Sequence, residues 1–254
     1  MTTKLKKLSK TSRRNYLTYA LVVLAFLILQ ILSSTGSISS SLKGMLVPIC
    51  AYVVMAISLN LTVGVLGELS LGHAGFMSMG AFTGTAAAIA LQDLIPVAPL
   101  RLAAAMVIGA AFAAFAGFLI GIPVLRLKGD YLAIVTLAFG EIIKSIFNNL
   151  YVGMDSAGLH FSLLSDNTNL LEGGKLIIGG PMGIGGIQKI STFAAGFILV
   201  MLTLMIVFNL VNSRAGRAIM AVRDNRIAAE SIGVNITKYK MMAFVTSAAL
   251  AGAA

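Results

Sequence analysis

The sequence predicts an all-α, polytopic membrane protein, and three observations carry that prediction. Hydrophobic residues fill 58% of the 254 positions and charged residues only 11%, with a mean hydropathy of +0.94; so little polar surface cannot cover a water-facing globule of this size. Charge-free windows near the roughly 20 residues that about 30 Å of hydrocarbon demands recur along the chain. Most of the 19 Lys and Arg gather in the N-terminal tail and in alternate connections between them. An open chain in lipid must satisfy its backbone hydrogen bonds within each segment, and the alternating pattern of a barrel strand is missing, so each window reads as a helix.

A basic tail, residues 1–15, leads into a first span at about 16–32. This tail, the apolar run and the following SSTGSISS have the outline of a secretory signal. The apolar core is longer than the usual 7–15 or so residues, which favours an uncleaved anchor. Further spans are expected at about 44–66, 69–91, 102–125, 131–150 and 191–212, and an incomplete one at 241–254, still apolar at Ala254. Lys4, Lys6, Lys7, Lys10, Arg13, Arg14, Arg126, Lys128, Arg214, Arg217, Arg223, Arg226, Lys238 and Lys240 fall on one side of this arrangement; Lys43, Arg101, Lys175 and Lys189 fall on the other, and Lys144 lies inside a span. The positive-inside rule makes the first group cytoplasmic, N-terminus included, provided that 44–91 crosses twice. The same rule accounts for the net charge of +10 without nucleic acid as a partner.

Two stretches are not spans. Residues 151–190, with GGKLIIGGPMGIGG, form an external loop too polar to cross and too apolar for a simple linker; either a functional loop or flexible filler fits. Residues 213–240 form a cytoplasmic segment with Ala218, Ile219, Val222, Ile227, Ala228 and Ile232 between Arg217, Arg223, Asp224, Arg226 and Glu230, ending at Gly233. That rhythm predicts an amphipathic helix. It could lie on anionic lipid or dock on a partner protein, and Asp224, Glu230 and the Ala228-Ala229 step favour the protein.

The turn between the second and third spans, GELSLGHAG, concentrates the chemistry. Glu68 should be paired, turned to the bundle interior or close to the cytoplasmic surface, because an ionisable group at membrane depth is costly. His73 reads as a hydrogen-bonded residue at a helix start, with Ser70 three residues earlier able to act as a local cap. Gly72, Gly75 and their small neighbours permit close helix packing, and equally a broken helix beside a solute path. Glu141 and Lys144 share one helical face and predict an ion pair; Thr136, Gly140 and Glu141 could face the same interior as the joint. The translocation pathway is therefore placed at Glu68, Ser70, Gly72, His73, Gly75, Thr136 and Glu141. No P-loop, GxSxG elbow or HExxH is present, and the single cysteine, Cys50, excludes a disulfide framework within the chain. Neither a catalytic residue nor a metal or cofactor site is expected.

NLTVGVLGELSLGHAGFMSMGAF, LRLKGDYLAIVTLAFGEIIK, GPMGIGG and SRAGRAIMAVRDNRIAAESIGVNITKYKMMAFVTSAALAGAA, in this order, resemble the inner-membrane permease subunits of branched-chain amino acid ABC transporters over residues 44 to 254. The LRLKGDYLAIVTLAFGEI block is similar to the LivM type rather than the LivH type. The resemblance implies an ATP-driven importer of Leu, Ile and Val in the bacterial inner membrane: this chain and a second, LivH-like permease form the path, two ATPase subunits bind ATP and Mg, and a periplasmic protein delivers the solute. It also implies that the chain continues beyond Ala254. In such permeases a cytoplasmic loop inserts into the ATPase; Ala228, Ala229 and Gly233 match its AAxxxG core, whereas Ile227 stands at its glutamate and its downstream Leu-Pro is missing. Arg217, Arg223, Asp224, Ala228, Ala229, Glu230 and Gly233 are thus expected to couple to the ATPase. The competing readings are a proton-coupled secondary transporter using Glu68, His73 or Glu141, a membrane-embedded enzyme and a purely structural bundle.

Overall fold

The computed structural model describes residues 10–36, 39–92, 94–127, 129–155, 158–163, 175–185 and 189–254. Most of the basic tail, Lys128 and the middle of the external segment lie outside them. The helices are α1 Lys10–Ser34, α2 Ser40–Asn60, α3 His73–Ala90, α4 Ala98–Val124, α5 Asp130–Asn148, α6 Phe193–Asn212, α7 Arg214–Asp224, α8 Arg226–Ser231 and α9 Ile236–Ala253. Five apolar stretches (Asn15–Ser34, Ser40–Leu66, Ala98–Val124, Tyr131–Asn148 and Phe193–Asn212) are long and apolar enough to cross a membrane.

Composition places small residues inside and large ones outside, the reverse of a soluble helix. In α4, Ala105, Gly109, Ala113, Ala116 and Gly117 are buried, whereas Val107, Phe112 and Phe115 are exposed. In lipid that outward apolar face has a solvent, and close backbone packing replaces the hydrophobic drive between helices. The centre is a three-helix seam of α3, α4 and α9. A Cβ on Gly80 would overlap the backbone of Gly252, and one on Gly109 would come within 2.8 Å of the Gly80 carbonyl oxygen and 3.0 Å of that of Gly252. Only glycine allows backbones so near. Below the seam Phe76, Ile120, Val124, Leu132, Ile143, Phe147 and Phe244 fill one cluster with Ala113 and Ala248.

A second layer is thinner. Helix α6 packs on α2 through Cys50, Val54, Val200 and Leu204, and α1 rests on α6, with Phe26 stacked on Phe197 at 3.9 Å and on Phe193 at 5.0 Å.

The described part of residues 151–190 holds strands where the sequence suggests a loop. Strands β1 Leu150–Asp155, β2 Gly158–Leu163 and β3 Lys175–Gly179 form an antiparallel sheet in the order β2-β1-β3. Val152 lies opposite Phe161 and Ile178, with an irregular register after it on the β3 side. Its inner face, Val152, Ile177 and Ile178, packs on Phe82 and Ile89 of α3. The sheet therefore caps the end of α3 and α5 that lies away from the GELSLGHAG turn.

Candidate functional site

The site is built at the break between α2 and α3. Helix α2 does not simply stop. It widens into a π-turn over Leu61–Leu66, then closes at Gly67 with φ +78°, a left-handed conformation that strains any side chain with a Cβ. The amides of Gly67 and Glu68 both donate to the Thr62 carbonyl. Residues 67–72 follow as a non-helical joint, and α3 starts at His73. A π-turn frees backbone carbonyls from the regular ladder, and in a bilayer they must be met by protein.

Three neighbours bind the backbone and side chains of this break. From α9, Ser247 donates to the Ser58 carbonyl and accepts from Thr62 Oγ1 at 2.9 Å. From α7, Arg223 donates Nη1–H to the Gly64 carbonyl at 2.9 Å, while its methylenes occupy the space where a Gly67 Cβ would sit. From α5, Thr136 Oγ1 accepts the Leu71 amide at 3.0 Å, and the Thr136 carbonyl lies against Gly72 so closely that a Cβ there would overlap it. Gly75 continues this contact, with room for a Cβ only 3.3 Å from Gly140 Cα.

His73 is buried and its Nε2 lies 2.8 Å from Ser58 Oγ. The single Ser58 hydroxyl hydrogen is directed to the Met55 carbonyl at 2.7 Å, so the shared proton sits on Nε2 and the imidazole is the donor. His73 thus staples the start of α3 to α2. Glu68 pairs with Lys240 of α9; their side chains are 15% and 5% exposed. Each charge offsets the cost of burying the other.

The amphipathic stretch within 213–240 is two helices, not the single one that its rhythm suggests. Asn225 breaks it, leaving the helical region and capping α8 by accepting the Ala228 amide on Oδ1 at 3.0 Å. Gly233 (φ +83°) ends α8, with the Val234 amide on the Ala229 carbonyl at 3.1 Å and the Gly233 amide on the Glu230 carbonyl at 3.0 Å, the paired bonds of a Schellman stop. Ile219, Val222 and Ala229 face inward. Ile219 joins Leu66 and Ala243 in a cluster that binds α7, the π-turn and α9 together. Ile227 and Ile232 point the other way, 80% and 76% exposed. A cleft of about 240 Å³ lies between joint and segment, lined by Leu66, Gly67, Glu68, Gly129, Val222, Arg223, Asp224, Asn225, Arg226 and Lys240.

Set against the expected site, Glu68, Gly72, His73, Gly75 and Thr136 gather around the joint. Two members do not. Glu141 faces outward and is bonded to Lys144 at 3.2 Å with 65% of each side chain exposed, because its position on α5 is on the opposite side from Thr136. Ser70 is buried but its hydroxyl has no hydrogen-bond partner, so it does not cap α3, whose first turn starts at Gly72 without a side-chain cap. In the coupling set, Arg217, Asp224, Ala228 and Glu230 are exposed, Ala229 is internal, and Arg223 serves the joint as well as Asp224. Sequence reasoning missed Ser58, Thr62 and Ser247, whose signal was hydroxyls inside apolar helices. It also counted Lys240 among loop cations, although a helix capped by Asn235 places it a turn inside α9. Among the described residues no three of His, Cys, Asp and Glu gather as a metal site would need.

A buried polar joint in an apolar helical bundle is thus tied to an amphipathic segment at the same end. The chain belongs to the family described as branched-chain amino acid transport system / permease component, whose model matches residues 41–254. It is 35% identical over 220 residues to the high-affinity branched-chain amino acid transport system permease protein LivM of Salmonella typhimurium, covering 79% of this chain and 48% of that protein. The LivM protein of Escherichia coli K12 is 35% identical over 216 residues, with the same coverage. The chain thus spans about half the length of these curated relatives. No solved structure matches it.

Proposed function

We propose that the chain is a permease subunit of an ATP-driven importer of branched-chain amino acids, forming the solute path with a second, LivH-like permease. Two partner ATPases would bind ATP and magnesium, and a periplasmic protein would deliver solute to the sheet-bearing end. The observation that carries the coupling part is the α7–α8 segment. One face is packed into the bundle, and the other offers Ile227 and Ile232 to a partner. Exposed large apolar residues on a charged, non-span segment suit a protein groove better than water. The N-terminus and this segment are cytoplasmic by the distribution of Lys and Arg.

The mechanism follows as alternating access. Closure of the ATPases shifts α7 and α8, and the bundle opens to one side and then the other around the joint. Proton coupling has less support, because Glu68, His73 and Glu141 are each held by a separate partner, Lys240, Ser58 and Lys144. The test is co-purification of ATPase subunits with the tagged permease. Capture by wild type, lost in an Ile227→Asp/Ile232→Asp double variant, is expected; ATPases that never co-purify with wild type contradict the reading.

A further inference from the structure

We propose that Lys240 is a positioning residue for transport: through Glu68 it locks the joint to α9 beside the coupling segment, so that joint and segment move as one body. The proposal rests on the permease reading above.

The observations are independent of one another. The side chains of the Lys240–Glu68 pair are largely enclosed, and they line the cleft facing α7 and the start of α8. In the same cleft, Arg223 of α7 holds the Gly64 carbonyl of the π-turn at 2.9 Å. Between these two polar attachments lies the apolar cluster of Leu66, Ile219 and Ala243, one residue from each of the three elements. The joint is thus held by α7 and by α9, with the apolar cluster tying all three together, and toward α5 it meets Thr136, Gly140 and Ile143. A displacement of α7 and α9 together cannot leave the joint behind without breaking the Arg223–Gly64 bond and a largely enclosed ion pair. It can, however, slide Gly72 and Gly75 along α5, where no side chain interlocks at Gly72.

This is a claim about coupling, and coupling is measured as a ratio. The complete transporter, with the second permease, the ATPases and the binding protein, is placed in proteoliposomes, and ATP hydrolysed per leucine imported is recorded. The variants are Glu68→Gln, Lys240→Met and the neutral double Glu68→Gln/Lys240→Gln. The double leaves no lone buried charge, so its assembly is expected to match wild type. In all three the ratio is expected to rise about fivefold or more, because hydrolysis persists while the joint lags. A ratio at the wild-type value in the assembled double would overturn the proposal. So would a double that does not assemble, since the pair would then be a folding element. If the wild-type complex itself shows no ATP-linked uptake, the permease reading fails instead.

Discussion

At the scale of single residues, burial separates two Glu–Lys ion pairs. Glu141–Lys144 lies on an exposed helical face, where such a pair contributes about 0–1 kcal/mol. Glu68–Lys240 is largely enclosed, where removing one partner costs about 3–5 kcal/mol by stranding the other charge. Thermal melts of the solubilised protein should therefore show a large drop for Lys240→Met and almost none for Lys144→Met. His73 gives a second contrast. Its loss removes one interhelical bond, an average of about 0.6 kcal/mol in a bundle of this kind, so His73→Ala should assemble normally while uptake falls at least about tenfold, a loss of about 1.4 kcal/mol in the transport step. Full uptake would reduce the residue to packing. The residue scale was the least legible in the sequence. GELSLGHAG announced itself by placing charge among glycines, but the partners that decide its role, Ser58, Ser247 and Lys240, lie 15 to 189 positions away from the residues they bind. Helical spacing carries no information about such contacts.

At the scale of elements, periodicity located the helices and missed the departures from regularity. Nothing in LTVGVL distinguishes a π-turn from another helical turn, because the widened ladder is stabilised by Ser247 and Arg223 from elsewhere. The break at Asn225 was legible in principle, since asparagine favours caps, but the apolar rhythm ran through it. The sheet was hidden because YVG, HFS and KLIIG are short and separated by glycine and polar residues, and a strand needs its partners to be recognised. The π-turn makes its own prediction. Gly67 sits at φ +78° with Arg223 filling the space beside it, so Gly67→Ala combines a left-handed penalty of about 1–2 kcal/mol with displacement of the arginine. Uptake should suffer more than from Gly129→Ala, another positive-φ position but with open space around it.

At the scale of the whole molecule, the bundle is organised by small residues inside and large ones outside. Composition alone gave this arrangement, because a chain so poor in charge has no other solvent for its outward face. The Gly80–Gly109–Gly252 seam is its fulcrum, and Gly80→Leu should abolish assembly altogether, as no side chain fits between those backbones. The two ends differ in kind: a sheet on one, the joint with its coupling helices on the other. An ATP-driven importer needs that polarity, with solute received at one end and force applied at the other. The most direct measurement is leucine uptake into proteoliposomes containing the complete transporter, with ATP enclosed and a protonophore added. Uptake that requires ATP and is indifferent to the protonophore is the predicted result; uptake that continues without ATP and stops with the protonophore would contradict the account.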